Sequence, residues 1–110
     1  MSAQPFVIDI PDVALEDLRA RLLLSRWPDV VGSGWDYGIN QDYLRDLVAY
    51  WAGSFDWRAQ EARLNRFAHF RSEVDGLGIH YIHQRAAGAD AVPLLLLHGW
   101  PGSFVQMLHL

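Results

Sequence analysis

The stretch that most constrains the fold is VPLLLLHGWPGS, residues 92–103, a greasy run halted by a Gly/Pro turn. It is apolar on both faces without alternation, which fits a strand buried on both sides of a parallel sheet. A buried helix segment can show the same pattern, but Pro93 at the start and Gly99 after the run favour a strand. Such a strand needs neighbours on both edges and cover on both faces. The sequence therefore asks for more sheet than its 110 residues contain.

The turn that ends the run carries the candidate chemistry. A strand leading through Gly-x-Pro-Gly into a helix puts backbone N–H groups at the carboxyl end of a sheet, where open α/β folds place their ligands. Gly99 removes side-chain bulk, and Pro101 confines Trp100 to extended geometry. Gly102 gives freedom for a tight turn, and Ser103 suits the cap of a helix beginning at Phe104. A rigidly held Trp100 N–H suits the stabilisation of a developing oxyanion. The same residues also suit a purely structural strand-to-helix turn.

Upstream, helical periodicity dominates. Leu15, Leu18 and Leu22 form one apolar stripe, with Pro11 and Asp12 suited to the helix start and Trp27-Pro28 to its stop. A Gly-rich loop follows, in which Trp35 and Tyr37 offer apolar surface for docking. Asn40 then suits the N-cap of a second helix striped by Leu44, Leu47, Val48 and Trp51, with Gly53 as its stop. Asp56 caps a third, WRAQEARLNRF. From Phe67 onward two short runs flank Asp75-Gly76, a strong hairpin signal. A small-residue loop, AAGADA, leads into the apolar run.

Composition excludes several functions. A net charge of −4 offers no basic footprint for nucleic acid or anionic membrane. With no Cys there is neither a disulfide framework nor a thiolate metal site, which suits a reducing, cytoplasmic setting. The N-terminus lacks the pattern of a secretory signal, and no apolar run is long enough to span a bilayer. His80 and His83, three apart on an expected strand, point to opposite faces and form no metal pair, so no metal is expected. Ser103 lacks the Gly-x-Ser-x-Gly setting of a nucleophile, and the glycines at 32 and 34 form a flexible turn too short to cradle phosphate. Arg19, Arg21, Arg58 and Arg63 read as a solvated or salt-bridging face. Trp27, Trp35, Trp51 and Trp57 read as docking surface for the helices, with a ligand box as the alternative.

The segments PFVIDIPD, DLRARLLLSRWPD, WDYG, YWAGSFDWRAQEARLNRFAHF, VDGLGIHYIH and PLLLLHGWPGSF, in that order and spacing, resemble the N-terminal region of microsomal-type epoxide hydrolases of the α/β-hydrolase superfamily. Ala68 stands where that family usually has Pro, and Tyr81 where it often has Phe. The resemblance implies an α/β fold cut short. Residues 1–66 would be a helical N-terminal meander, and residues 67–110 the start of the hydrolase core, a hairpin plus one buried strand ending in the His-Gly-x-Pro motif.

By that likeness, Trp100 supplies one oxyanion N–H through its backbone, and His98, Gly99, Pro101 and Gly102 shape the turn, with the Trp100–Pro101 bond cis. The family's Asp nucleophile, its His base with an acidic partner and its two lid tyrosines would all lie outside these residues. The implied parent reaction is cofactor-free addition of water to a small-molecule epoxide, giving a vicinal diol, with this segment inactive by itself. Two alternatives stand beside it. One is a non-enzymatic interaction domain that self-associates or pairs with a missing hydrolase portion through residues 93–110. The other is a different α/β-hydrolase chemistry, such as an esterase.

Overall fold

The computed structural model describes residues 2–88 and 90–110; Met1 and Ala89, the latter within the expected loop at 86–91, lie outside the described residues. The elements are β1 (Gln4–Pro5), α1 (Asp12–Leu23), α2 (Gln41–Gly53), α3 (Trp57–Leu64), β2 (His69–Val74), β3 (Leu77–Ile82) and a short 3₁₀ helix (Phe104–Met107). They divide into two compact units. One comprises Ile8–Arg63, and the other joins the N-terminal residues through Val7 to Leu64–Leu110. Among the described residues no helix is long and apolar enough to cross a membrane.

The helical unit is built from local signals. Pro11 is the N-cap of α1, with Asp12 in the first turn where a carboxylate complements the helix dipole. The helix ends at Leu23, before the expected stop at Trp27-Pro28. Leu24 turns out of helical geometry, and its N–H is shared between the Ala20 and Arg21 carbonyls, so the final turn tightens before proline is reached. On α2, the Asn40 side chain accepts from the Tyr43 N–H at 3.0 Å, an N-cap hydrogen bond, and Gly53 is the last helical residue. Asp56 accepts from the Ala59 N–H at 3.0 Å and so starts α3, which ends at Leu64 rather than continuing to Phe67.

Leu15, Leu18, Trp51, Phe55 and Trp57 line one shared groove of this unit. Its strongest tie is polar. Glu61, 8 % exposed, accepts from the Ile10 N–H (2.8 Å), the Trp57 indole N–H (3.1 Å) and Arg58 (2.7 Å), and Arg58 also pairs with Asp12. The Ile10 N–H, then the Arg58 guanidinium and the Trp57 indole, hold the Glu61 carboxyl below its ordinary value against the desolvation that pushes it up. Trp27 carries the Arg45 guanidinium over its ring, and Trp35 packs against Tyr43. Tyr37, expected to dock, is 84 % exposed.

In the second unit the hairpin forms as its turn chemistry dictates. Asp75 and Gly76 both have positive φ (51° and 79°), the left-handed pair that a two-residue hairpin turn requires. The register pairs Phe70 with Tyr81 and Arg71 with His80. Less expected is β1, which pairs antiparallel with β2 through Gln4–Arg71 and Pro5–Phe70. Proline is tolerated there because β1 is an edge strand. The sheet order is β1-β2-β3.

The apolar run departs from expectation. Residues 91–99 have no regular secondary structure, and Leu94, Leu95 and Leu97 are 78 %, 80 % and 77 % exposed rather than buried. A strand exists only with a hydrogen-bonded neighbour, and β1, β2 and β3 pair only with one another.

Two outcomes follow from the helical unit. Asn40→Ala is expected to lower stability by about 1 kcal/mol in urea unfolding, the usual cost of losing an N-cap. Because Glu61 is held below its ordinary 4.5, its contribution is present above that pH and fades as pH falls through the folded-state value. Glu61→Gln should therefore lower the urea midpoint near neutrality and flatten its acid-side decline.

Candidate functional site

The candidate site is the turn at residues 98–103, in the unit that contains the hairpin. The Gly102 N–H donates to the Gly99 carbonyl at 2.6 Å and closes the turn. The Trp100–Pro101 peptide bond within it is cis, as the resemblance implied. A Cβ on Gly102 would sit 2.9 Å from the Gly99 carbonyl oxygen and against the Gln106 side chain, so this position requires glycine. At Gly99, by contrast, a Cβ would meet no atom within 4 Å among the described residues, which leaves the space before the turn open. His98 places Nδ1 at 3.3 Å from the Gly99 carbonyl.

Trp100 is 99 % exposed, and its backbone N–H has no acceptor among the described residues. Ser103 caps the 3₁₀ helix as expected, accepting from the Val105 N–H at 3.3 Å. A free N–H at the apex of a closed turn can donate to an anionic oxygen placed before it.

What holds the turn to the sheet was not singled out from the sequence. Phe104, the first residue of the 3₁₀ helix, packs edge-on against His69 (centroids 5.8 Å) and His80 (5.2 Å). The two imidazole planes are nearly parallel (16°) with centroids 5.1 Å apart, and the rings are joined edge to edge by a hydrogen bond of 2.9 Å between His69 Nδ1 and His80 Nε2. The His69 Nε2–H donates to the Leu64 carbonyl at 2.8 Å, and Phe6 meets His80 edge-on at 5.1 Å. His69 is 4 % exposed. Desolvation first, then the neighbouring His69 and Arg71, hold His80 below its ordinary 6.5. The signal in the sequence is His69 and His80 on facing strands around Asp75-Gly76, legible only once the register is known.

His80 and His83 lie on opposite faces of the hairpin. His80 faces His69 and Phe104, whereas His83 packs near Phe70 at 6.4 Å. Among the described residues no three His, Asp or Glu side chains gather as a metal site. Tyr81 stacks on Phe70 at 5.8 Å and its hydroxyl lies 3.1 Å from Ser72 Oγ.

The family model described as "Epoxide hydrolase N terminus" matches residues 3–107. The chain belongs to that family. It is 40 % identical over 110 residues to epoxide hydrolase 1 of Sus scrofa, covering 96 % of this chain and 24 % of that protein. The solved structure of Aspergillus niger epoxide hydrolase superposes with a TM-score of 0.86 at 41 % identity, over 96 % of this chain and 29 % of that one. Juvenile hormone epoxide hydrolase from the silkworm Bombyx mori gives 0.79 at 35 % identity, over 94 % and 28 %. The chain thus spans about a quarter of the length of these relatives, matching the N-terminal portion of epoxide hydrolases of the α/β-hydrolase fold.

Gly102→Ala is expected to cost roughly 1–3 kcal/mol, the usual range for overpacking. The loss should show as a lower urea midpoint and as faster exchange of the Gly102 amide.

Proposed function

We propose that these residues form the N-terminal portion of an enzyme that adds water to a small-molecule epoxide to give a vicinal diol, and that the Trp100 N–H is one of its oxyanion donors. The observation that carries this reading is the unengaged Trp100 N–H at the apex of a turn closed between Gly99 and Gly102. The family match and the open space before Gly99 support it.

In the reaction the family implies, an Asp carboxylate attacks a ring carbon and the carbon–oxygen bond breaks. The ring oxygen takes a proton from a lid tyrosine, leaving an ester. Water, deprotonated by the His base, then attacks the ester carbonyl. The tetrahedral oxyanion so formed is the species to which the Trp100 N–H donates. The ester bond then breaks, the imidazolium protonates the departing alkoxide to release the diol, and the regenerated Asp carboxyl returns a proton to the tyrosinate through solvent. His98, Gly99, Pro101 and Gly102 serve this step by shaping the turn, and no metal or redox group is needed. The nucleophile, base and lid belong to other parts of such an enzyme, so the 110 residues by themselves are inactive.

A second reading rests on the exposed run Leu94–Leu97 with Trp100. An uncovered apolar segment of this kind fits association with another copy or with the remaining portion of a hydrolase.

In a hydrolase carrying this segment, replacing Trp100 by its α-hydroxy acid removes the N–H and keeps the indole. The expected loss in kcat is about 10²–10³, the usual effect of removing one oxyanion donor, with KM little changed. Trp100→Phe, which keeps the N–H, should retain most of the rate. Full activity of the ester variant would overturn the donor assignment, and epoxide turnover by the 110-residue chain above a buffer blank would overturn its inactivity. Light scattering of that chain tests the second reading, which expects oligomers that grow with concentration and fails on a clean monomer.

A further inference from the structure

We infer that the hydrogen-bonded His69–His80 pair positions the oxyanion turn, seating Phe104 and through it the Ser103 cap and the Gly99–Gly102 closure. The inference rests on Trp100 being the donor proposed above, and it adds two residues that touch neither substrate nor the reacting atoms.

The proton count fixes the pair. The Leu64 carbonyl can only accept, so His69 Nε2 carries a hydrogen. In a neutral His69 the Nδ1 is then an acceptor, and His80 Nε2 must donate to it. Each ring is thereby locked in one tautomer and one orientation, and Phe104 rests edge-on against both. A proton on His80 would place a cation beside Arg71, its cross-strand partner. β1 and the 3₁₀ helix Phe104–Met107 carry no charged or titratable group, β2 carries Arg71 and Glu73, and Arg63 and Arg66 flank the Leu64 carbonyl that holds His69.

The seat bears on the site by chain geometry. Phe104 directly follows Ser103, whose hydroxyl caps the 3₁₀ helix, and Ser103 follows the Gly102 N–H that closes the turn. Freeing the Phe104 ring therefore lets the Gly102 closure open and the Trp100 N–H lose its fixed direction. Because burial favours neutral His80, the seat is intact above the ordinary histidine range and loosens as pH falls through the lower folded-state value.

The test is an amide and imidazole NMR titration of the ¹⁵N-labelled 110-residue chain from pH ~8 to ~5. It is repeated in a His98→Gln background, because His98 neighbours Trp100. The expected result is that the Trp100 and Gly102 amides and the Phe104 ring move with the His80 midpoint in both backgrounds. His80→Gln, which keeps a donor but loses the ring, should abolish that response. Phe104→Ala should speed Gly102 exchange about tenfold while the Ser72 and Ile79 hairpin amides, a hydrogen-bonded cross-strand pair, stay protected. Trp100 and Gly102 amides that stay flat while His80 titrates would overturn the inference. If a variant loses the hairpin, the wild-type titration decides alone. No epoxide enters this experiment, so its failure is distinct from failure of the donor assignment, which the ester variant reads separately.

Discussion

The buried imidazole of His69 is the interaction on which the candidate site depends. Among the described residues only His69 and Glu61 are buried, and no apolar side chain is. With the leucine stripes of α1 and α2 only half covered, nonspecific apolar packing cannot by itself define a unique arrangement. Directional polar contacts do so instead. Both His69 nitrogens are engaged and Glu61 receives three donors, so each unit has one buried polar group whose partners are all specified. A buried polar group that lost a partner would bear its full desolvation penalty, which makes these hubs intolerant of rearrangement.

Local chemistry was legible wherever a residue acts on its own neighbours. Asn40, Asp56 and Ser103 cap the helices that follow them, and Asp75-Gly76 makes the hairpin turn, because each effect spans only two or three residues. Helix ends were less legible. The Trp27-Pro28 pair marks where α1 could no longer continue, but the helix closes earlier by tightening its last turn, which no composition signal announces. The β1–β2 pairing was missed for another reason. It joins residues more than sixty positions apart, and Gln4-Pro5 has no strand-like alternation of its own.

The apolar run preceding the turn shows what burial requires. Its composition suits a strand covered on both faces, yet its leucines are exposed because β1, β2 and β3 pair only with one another. The relatives that share this N-terminal portion are about four times as long. A sequence can thus specify the kind of surface a segment suits without supplying, among the described residues, the neighbour that would cover it.

The order of the helices, the hairpin, the shape of the His-Gly-Trp-Pro turn and the family were determined by the sequence alone, since each is written in short-range chemistry and motif spacing. Only the tertiary structure decided which side chains meet across that spacing. It brought His69 onto His80 and both onto Phe104, gathered Ile10, Trp57 and Arg58 around Glu61, and laid the N-terminus along β2. The physical reason is register: a shift of one residue in the hairpin would put His69 and His80 on opposite faces, and only the folded pairing brings them to the same one.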